Sequence, residues 1–201
     1  MSRRWIGIVD YGVGNHASVR QALLELGYRC HVGSEPEKLD TCEFLVLPGV
    51  GAFPAAMRAI RQRGLDEFLL ASAARNTPIL GICLGMQLLA STSSEGGLHS
   101  GLGLVPGEVH PLPCGAWNIG WCRVQAEDGM LSPFSGAQFY FNHSFHFIGG
   151  GPFVSMTISE VNIAAAVRRG SVMGVQFHPE KSQSAGRSLL RAAIEGLSDA
   201  R

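Results

Sequence analysis

The sequence predicts an α/β protein, a single domain over residues 1–201 with a doubly wound central sheet that is mostly parallel or mixed. Strands and helices alternate in the first third of the chain, and short strands with turn signals fill the second half. No linker separates the two halves. With 201 residues, of which 46% are hydrophobic and 16% charged, the chain is long enough to form one well-buried core.

The first third of the chain predicts a strand and a helix in turn. The strands are Trp5–Asp10, Tyr28–Val32 and Phe44–Leu47, and the helices are about Asn15–Leu26, Pro54–Gln62 and Leu65–Arg75. The carboxyl ends of parallel strands share one edge of such a sheet. We therefore expect Asp10, the Pro48–Gly51 turn and Cys83 to lie together at that edge.

The stretch around Cys83 predicts a strand that turns into a helix within one residue. An apolar run opened by Pro78 is followed by helical spacing from Leu84 onward. Gly81 and Gly85 flank the corner, where a Cβ atom would be crowded. This is the pattern of a nucleophile elbow with Cys in the place of Ser. A helix N-terminus behind it favours a thiolate and offers N–H groups to an oxyanion, whereas the alternative is a buried, inert Cys.

From residue 104 onward the sequence predicts a series of short strands. They are Leu104–Val109, Ile119–Gln125, Gln138–Phe141, Phe153–Ile158, Ile163–Arg168 and Val172–Phe177. His178 follows the last strand, and Pro179 stops further sheet pairing. Glu180 comes two residues later, where a carboxylate can orient the imidazole. Alone, His-Pro-Glu would be an ordinary loop; with the elbow, it predicts a triad of Cys83, His178 and Glu180.

Charge and cysteine content exclude several classes of protein. The formal net charge is zero, and no basic stripe points to a nucleic acid partner. No apolar run approaches the length that spans a membrane. The chain has 5 cysteines, an odd number with no C-x-x-C pair, so a disulfide framework and a zinc site are not indicated. We expect a cytoplasmic enzyme in which the other cysteines are inert, namely Cys30, Cys42, Cys114 and Cys122.

Two distant motifs resemble those of one enzyme family. GICLGMQ at 81–87 and GVQFHPEKS at 174–182 resemble the class I, triad-type glutamine amidotransferases. DYGVGN at 10–15, LPGVGAF at 47–53 and GRSLL at 186–190 resemble, within that class, the glutaminase subunits of imidazole glycerol phosphate synthases. The match is collinear from about residue 6 to about residue 195. It implies a flavodoxin-like fold and hydrolysis of L-glutamine to glutamate and ammonia through a Cys thioester, without cofactor or metal.

The resemblance also implies roles for individual residues. Cys83 would be the nucleophile, His178 the acid and base, and Glu180 the residue that orients it. The turn containing Gly49 and Gly51 would supply part of an oxyanion hole, with the amide of Leu84 as second donor. The residues implied to contact glutamine are Gln87, Glu95, His143, Ser144 and Phe145.

A partner follows from the same resemblance. Family members pass ammonia to a barrel-type synthase (cyclase) subunit in a heterodimer, which makes imidazole glycerol phosphate in histidine biosynthesis. Asn15, Trp121 and Lys181 match positions near that partner. The segment Trp117–Cys122 departs from the family's usual Pro-His-Met/Ile-Gly-Trp-Asn. A paralogous glutaminase that feeds another synthase, such as one aminating a surface-polysaccharide sugar, therefore stays open.

Other residues bear on alternatives outside this family. A cysteine hydrolase or peptidase would share the elbow but would not need Gln87, Glu95 and the His-Pro-Glu pattern. A nucleotide-binding module is suggested by Gly12–Ala17, which fits G-x-G-x-x-A, although Glu35 is too loosely placed to bind a ribose. His143 and His146 lack a third ligand for a metal.

Overall fold

The computed structural model describes residues 4–126, 129–149, 154–158 and 161–198. The first half contains, in order, β1 (Trp5–Val9), α1 (His16–Glu25), β2 (Arg29–Gly33), α2 (Pro36–Leu39), β3 (Phe44–Gly49), α3 (Phe53–Gln62), α4 (Leu65–Ala74), β4 (Ile79–Cys83) and α5 (Leu84–Leu88). The second half contains β5 (Thr92–Ser93), β6 (His99–Ser100), β7 (Glu108–Pro111), β8 (Asn118–Arg123), β9 (Gln125–Ala126), β10 (Gln138–His143), β11 (Phe145–Ile148), β12 (Val154–Ile158), β13 (Val161–Arg169), β14 (Val172–Val175) and α6 (Gln183–Ser198).

The central sheet is mixed, as the sequence predicts. Among the residues that the structure describes, it has eight strands in the order β2-β1-β3-β4-β14-β13-β12-β9. The strands from β2 to β14 pair in parallel, and β13, β12 and β9 continue the sheet antiparallel. Gly49 of β3 lies opposite Cys83 of β4. The turns that follow β1, β3, β4 and β14 therefore leave one edge of the sheet, which confirms the predicted arrangement.

Two apolar cores cover the faces of this sheet, because successive strand residues point to opposite sides. Ile8 and Val46 belong to the core that also contains buried residues of α1 and α6. Leu45 and Leu47 belong to the other core, with buried residues of α3, α4 and α5. The core on the α6 side depends on a helix that is absent from the predicted elements, as are α2, β5, β6 and β11.

Most of the predicted elements are confirmed to within about two residues, but two strands are wrong in part. The predicted strand Leu104–Val109 begins only at Glu108. The preceding segment instead donates backbone hydrogen bonds to carbonyls at the end of α5, from Leu102 to Leu88, from Gly103 to Ala90 and from Val105 to Leu89. Residues 102–105 therefore satisfy the helix end rather than extend a strand.

The predicted strand Ile119–Gln125 is two strands in two different sheets. β8 pairs with β10 as a two-stranded ribbon, whereas β9 pairs with β12 at the edge of the central sheet. β7, β11, β5 and β6 form a separate four-stranded sheet. Phe153, predicted to begin a strand, lies outside the described residues; β12 is described from Val154. Within the described ranges, no helix has the length and apolar character needed to cross a membrane.

Candidate active site

Cys83 occupies the strained corner that the sequence predicts. Its φ is 55° and its ψ is −110°, a region that non-glycine residues rarely adopt, between the end of β4 and the start of α5. A Cβ atom on Gly85 would overlap the carbonyl oxygen of Leu47, and one on Gly81 would lie 2.6 Å from the carbonyl oxygen of Gly85. The predicted elbow is therefore confirmed, because both flanking positions require glycine.

His178 is held between Glu180 and Cys83. Its Nδ1 lies 2.9 Å from Oε1 of Glu180, and the exposed fractions of the two side chains are only 3% and 1%. A carboxylate only accepts hydrogen bonds, so Nδ1 carries a proton and Nε2 is the atom available to Cys83. Asn15 donates from Nδ2 to the same carboxylate oxygen of Glu180 at 3.3 Å. Cys83, His178 and Glu180 thus form a buried Cys–His–Glu arrangement.

The charge state of His178 is set by opposing influences. Burial alone would lower its pKa, but hydrogen bonding and charge interaction with Cys83 and Glu180 outweigh it and raise the pKa to about 9. The imidazolium form is therefore favoured at neutral pH. This is the form that can protonate a departing amine.

We expect the His178 ring to titrate near pH 9 in the native chain and at a lower pH in Cys83→Ala. Removing the sulfur removes one interaction that raises the pKa while the burial that lowers it remains. Histidine-selective NMR titration measures both pKa values.

The raised pKa of His178 also predicts how stability depends on pH. Since the folded pKa exceeds the unfolded value of about 6.5, the stability that this group contributes is fully present below about pH 6.5 and is lost as the pH rises to about 9. The free energy of unfolding should fall across this window, and less so in Cys83→Ala. Identical NMR titrations of His178 in the native chain and in Cys83→Ala would contradict the pairing of His178 with Cys83.

A cavity of about 270 Å³ lies in front of Cys83. It collects nine of the residues that the sequence analysis places in the site, from segments that are far apart in the chain: Gly51, Cys83, Leu84, Gln87, Glu95, His143, Ser144, Phe145 and His178. Gly49 and Glu180 do not line it. Glu180 contacts the ring of His178, and Gly49 packs so closely that a Cβ atom there would lie 2.9 Å from the backbone nitrogen of Gly85.

The Pro48–Gly51 turn lies beside the elbow. Gly51 has a φ of 96°, which only glycine adopts freely. The hydroxyl of the buried Tyr11 donates to the carbonyl oxygen of Pro48 at 2.9 Å, and burial, with the charges of Cys83 and Asp10, raises the pKa of Tyr11 well above its usual value. Leu84 is the first residue of α5, so its backbone N–H has no acceptor within the helix. The turn and the helix start thus face one cavity.

The remaining wall residues are oriented by protein contacts. Gln87 is buried, and its Nε2 donates to the carbonyl oxygen of Phe145 at 3.0 Å. Glu95 accepts the backbone N–H of Phe53, the first residue of α3, at 2.9 Å. His143 Nδ1 lies 2.8 Å from the Phe145 carbonyl oxygen, and its Nε2 lies 3.1 Å from Nδ2 of Asn118. Burial lowers the pKa of His143 to about 4, so this ring is neutral.

Neither a metal site nor a nucleotide site gains support from these contacts. Both ring nitrogens of His143 already have protein partners, and no group of three potential metal ligands is found within the described part of the chain. The backbone N–H of Gly12 donates to Oδ1 of Asp10 at 2.8 Å. A pyrophosphate bound at Gly12–Ala17 would therefore meet a carboxylate, which disfavours the nucleotide-binding alternative.

Two of the three residues matched to a partner-facing position lie on an exposed aromatic surface. The ring of Trp121 contacts that of Tyr140 edge to face with centroids 6.1 Å apart, and Lys181 Nζ lies 5.8 Å from the Tyr140 ring centroid. Ile119, on β8, is 60% exposed, and Trp117, which directly precedes β8, is 66% exposed. Asn15, the third, is instead bonded to Glu180.

Three residues of the site are missing from the predicted set. Trp117 lines the cavity and donates from Nε1 to Oδ1 of Asn142 at 3.1 Å. The Asn142 carbonyl oxygen lies 3.8 Å from Cys83 Sγ. Gln176 is fully buried with Nε2 3.9 Å from the same sulfur. A signal for Gln176 exists in the sequence, since it lies two residues before His178 at the end of the predicted strand Val172–Phe177, where alternate residues share a side.

Comparison with known proteins gives consistent matches. The family model described as glutamine amidotransferase class-I matches residues 7–195. The imidazole glycerol phosphate synthase subunit HisH of Moorella thermoacetica is 43% identical over 196 residues, covering 94% of this chain and 93% of the relative. The HisH subunit of Symbiobacterium thermophilum is 42% identical over 195 residues, covering 92% and 91%. The solved structure of PurLQS from Thermotoga maritima has a TM-score of 0.76 over 98% of this chain and 100% of that one, at 20% identity, a likeness of fold alone.

Proposed function

The chain belongs to the class I glutamine amidotransferase family, and from this premise we propose that it is the glutaminase subunit of an imidazole glycerol phosphate synthase in histidine biosynthesis. The identity of 43% to a HisH subunit over almost the whole length supports this function. The observation that carries the chemistry is the buried His178, bonded to Glu180 and adjacent to Cys83 at the wall of one cavity.

The proposed reaction begins with the Cys83 thiolate. Its sulfur attacks the carboxamide carbon of L-glutamine, and the oxyanion that forms is held by backbone amides at Gly51 and Leu84. His178 gives a proton to the departing ammonia, which leaves a γ-glutamyl thioester. His178 then takes a proton from water, whose oxygen attacks the thioester carbon and releases glutamate and the thiolate. Glu180 keeps the ring in one tautomer throughout.

Binding of glutamine is proposed to use the rest of the cavity wall. Both N–H bonds of the Gln87 amide are directed to protein acceptors, Phe145 O at 3.0 Å and Gln176 Oε1 at 3.2 Å. Gln87 would therefore meet the substrate through its carbonyl oxygen. The second carboxylate oxygen of Glu95 and the backbone of His143–Phe145 complete the set, which suits a substrate with an amino group and a carboxylate at one end.

We further propose a barrel-type synthase subunit as the partner, in a heterodimer that works in the cytoplasm. The exposed aromatic surface of Trp117, Ile119, Trp121 and Tyr140 has the composition of an interface core, because aromatic side chains are enriched there. Lys181 adds a cation at its border. Cys30 and Cys122 are free thiols, which suits a reducing compartment. Burial raises the pKa of both thiols, to about 11 for Cys30, so they are expected to be unreactive.

The isolated chain is expected to be a weak glutaminase that is activated by its synthase subunit with acceptor nucleotide bound. We propose that in the isolated chain the N–H of Gly51 is turned away from the cavity, and one well-placed oxyanion donor is worth roughly 10² to 10³ in rate. The assay compares glutamine turnover of the chain alone, with the histidine-pathway cyclase, and with cyclase and nucleotide.

Two outcomes of this assay would contradict the proposal in different ways. Full turnover by the isolated chain would exclude gating by the partner. No activation by the histidine-pathway cyclase, but activation by a sugar-aminating synthase, would favour the paralogous function that the altered segment Trp117–Cys122 leaves open.

A further inference from the structure

Gln176 is a buried polar residue that the mechanism above does not use. It follows β14 directly, its side chain has an exposed fraction of 0%, and its backbone N–H donates to Ala165 O at 2.9 Å. A polar side chain so placed costs free energy unless its amide groups are hydrogen-bonded. The direction of those bonds decides what Gln176 does to its neighbour Cys83.

The orientation of the Gln176 amide follows from a chain of hydrogen bonds that starts at a backbone carbonyl. The oxygen of Phe145 can only accept, so the Gln87 atom 3.0 Å from it is the amide nitrogen. The second N–H of that nitrogen points to the Gln176 atom 3.2 Å away, which must then be Oε1. The remaining terminal atom of Gln176 is therefore Nε2, a donor only, and it lies 3.9 Å from Cys83 Sγ.

The sulfur of Cys83 thus has neighbours that favour different protonation states. The Asn142 carbonyl oxygen, 3.8 Å away, is an acceptor and can bond only to the thiol S–H. The N–H of Gln176 and the imidazolium of His178 are donors and stabilise the negative thiolate. Because Gln176 is shielded from water, its bond to a charged sulfur is not weakened by competition with solvent.

We propose that Gln176 is a further catalytic residue, which donates a hydrogen bond to the Cys83 thiolate and keeps it in the reactive form. Its amide also links the nucleophile to Gln87 in the cavity wall, so one hydrogen-bonded chain runs from the substrate site to the sulfur. The inference rests on the proposed function only in taking Cys83 as the nucleophile. The hydrogen bonds of Gln176 are present in the chain without substrate.

The test measures the thiolate rather than turnover. Cys83 is alkylated with iodoacetamide from about pH 5 to 10 in the full chain, and the adduct on its peptide is quantified by mass spectrometry. In Gln176→Met, which is similar in length and lacks the donor, the midpoint of the pH profile should rise by about one pH unit, and alkylation at a pH below both midpoints should slow about tenfold. Gln176→Asn keeps an amide that is too short to reach and should shift in the same direction. Gln62→Met, an exposed glutamine at the end of α3, should match the native chain.

The outcomes separate this inference from a structural role and from the proposed function. A purely structural role would lower the melting temperature while leaving the alkylation midpoint unchanged, and midpoints equal to the native value in either folded variant would overturn the inference. If Gln176→Met does not fold, Gln176→Asn decides. If the midpoints shift but the native chain with its cyclase does not hydrolyse glutamine, the proposed function fails and the role of Gln176 stands.

Discussion

Replacing Cys83 by Ser is expected to lower the rate of glutamine hydrolysis by about 10⁴-fold or more. The complex with its synthase subunit should still form product from added ammonium salt. The variant keeps the size of the side chain at the strained corner, where φ is 55°, but loses the thiolate that His178 and Gln176 stabilise. Ammonium bypasses the glutaminase, so a remote synthase site should be unaffected. Glutamate release and product formation are measured in parallel.

A second cysteine gives the matched control for this experiment. Cys122 is a half-buried free thiol on β8 with a raised pKa, caused by its burial, and it lies outside the cavity. Cys122→Ser should therefore keep glutamine-dependent and ammonium-dependent activity. If Cys83→Ser retained more than a few per cent of glutamine turnover, the assignment of the nucleophile would be wrong.

His178→Ala should lose about 10² to 10⁴ in glutamine turnover, whereas Glu180→Gln should lose clearly less. The first change removes the acid and base. The second keeps an oxygen that can accept the hydrogen bond from Nδ1–H but removes the charge that helps to raise the His178 pKa to about 9. Steady-state turnover of each variant with the cyclase and nucleotide gives the comparison.

The pH dependence distinguishes a lost charge from a damaged fold. In Glu180→Gln the pKa of His178 should fall. The decline of glutamine turnover at high pH should therefore begin at a lower pH than in the native chain. The far-ultraviolet circular dichroism of both variants serves as a control, since both side chains are buried. Equal losses in two folded variants would mean that the carboxylate is as indispensable as the base.

The sequence predicts the centre of this site well because its signals are local. Gly81, Cys83 and Gly85 encode the elbow within five residues of chain, and the strand before His178 places it at the same edge of the sheet. Parallel pairing of β4 and β14 then brings residues some 95 positions apart together.

Other parts depend on contacts that no local pattern reveals. Residues 102–105 bond to carbonyl groups at the end of α5 and do not pair as a strand. Those carbonyl groups lie too far along the chain for a local hydrophobic pattern to reveal the contact. The bond of Glu95 to the start of α3 and the approach of Trp117 to Asn142 likewise join distant segments. Gln176 has a local signal in the motif at 174–182, but that motif does not reveal that its side chain is buried against Cys83 and Gln87.

The two-stranded ribbon of β8 and β10 carries residues of both the cavity and the exposed aromatic surface. Tyr140 belongs to that surface through its ring, while its carbonyl oxygen accepts the backbone N–H of His178 at 2.8 Å and its own N–H donates to Ser182 at 3.0 Å. Redesign of this surface for a new synthase could therefore also shift the backbone of Tyr140, which holds the proposed catalytic base His178 in position. We expect substitutions of Tyr140 to change both partner binding and glutamine turnover, so variants selected for one property should be assayed for the other.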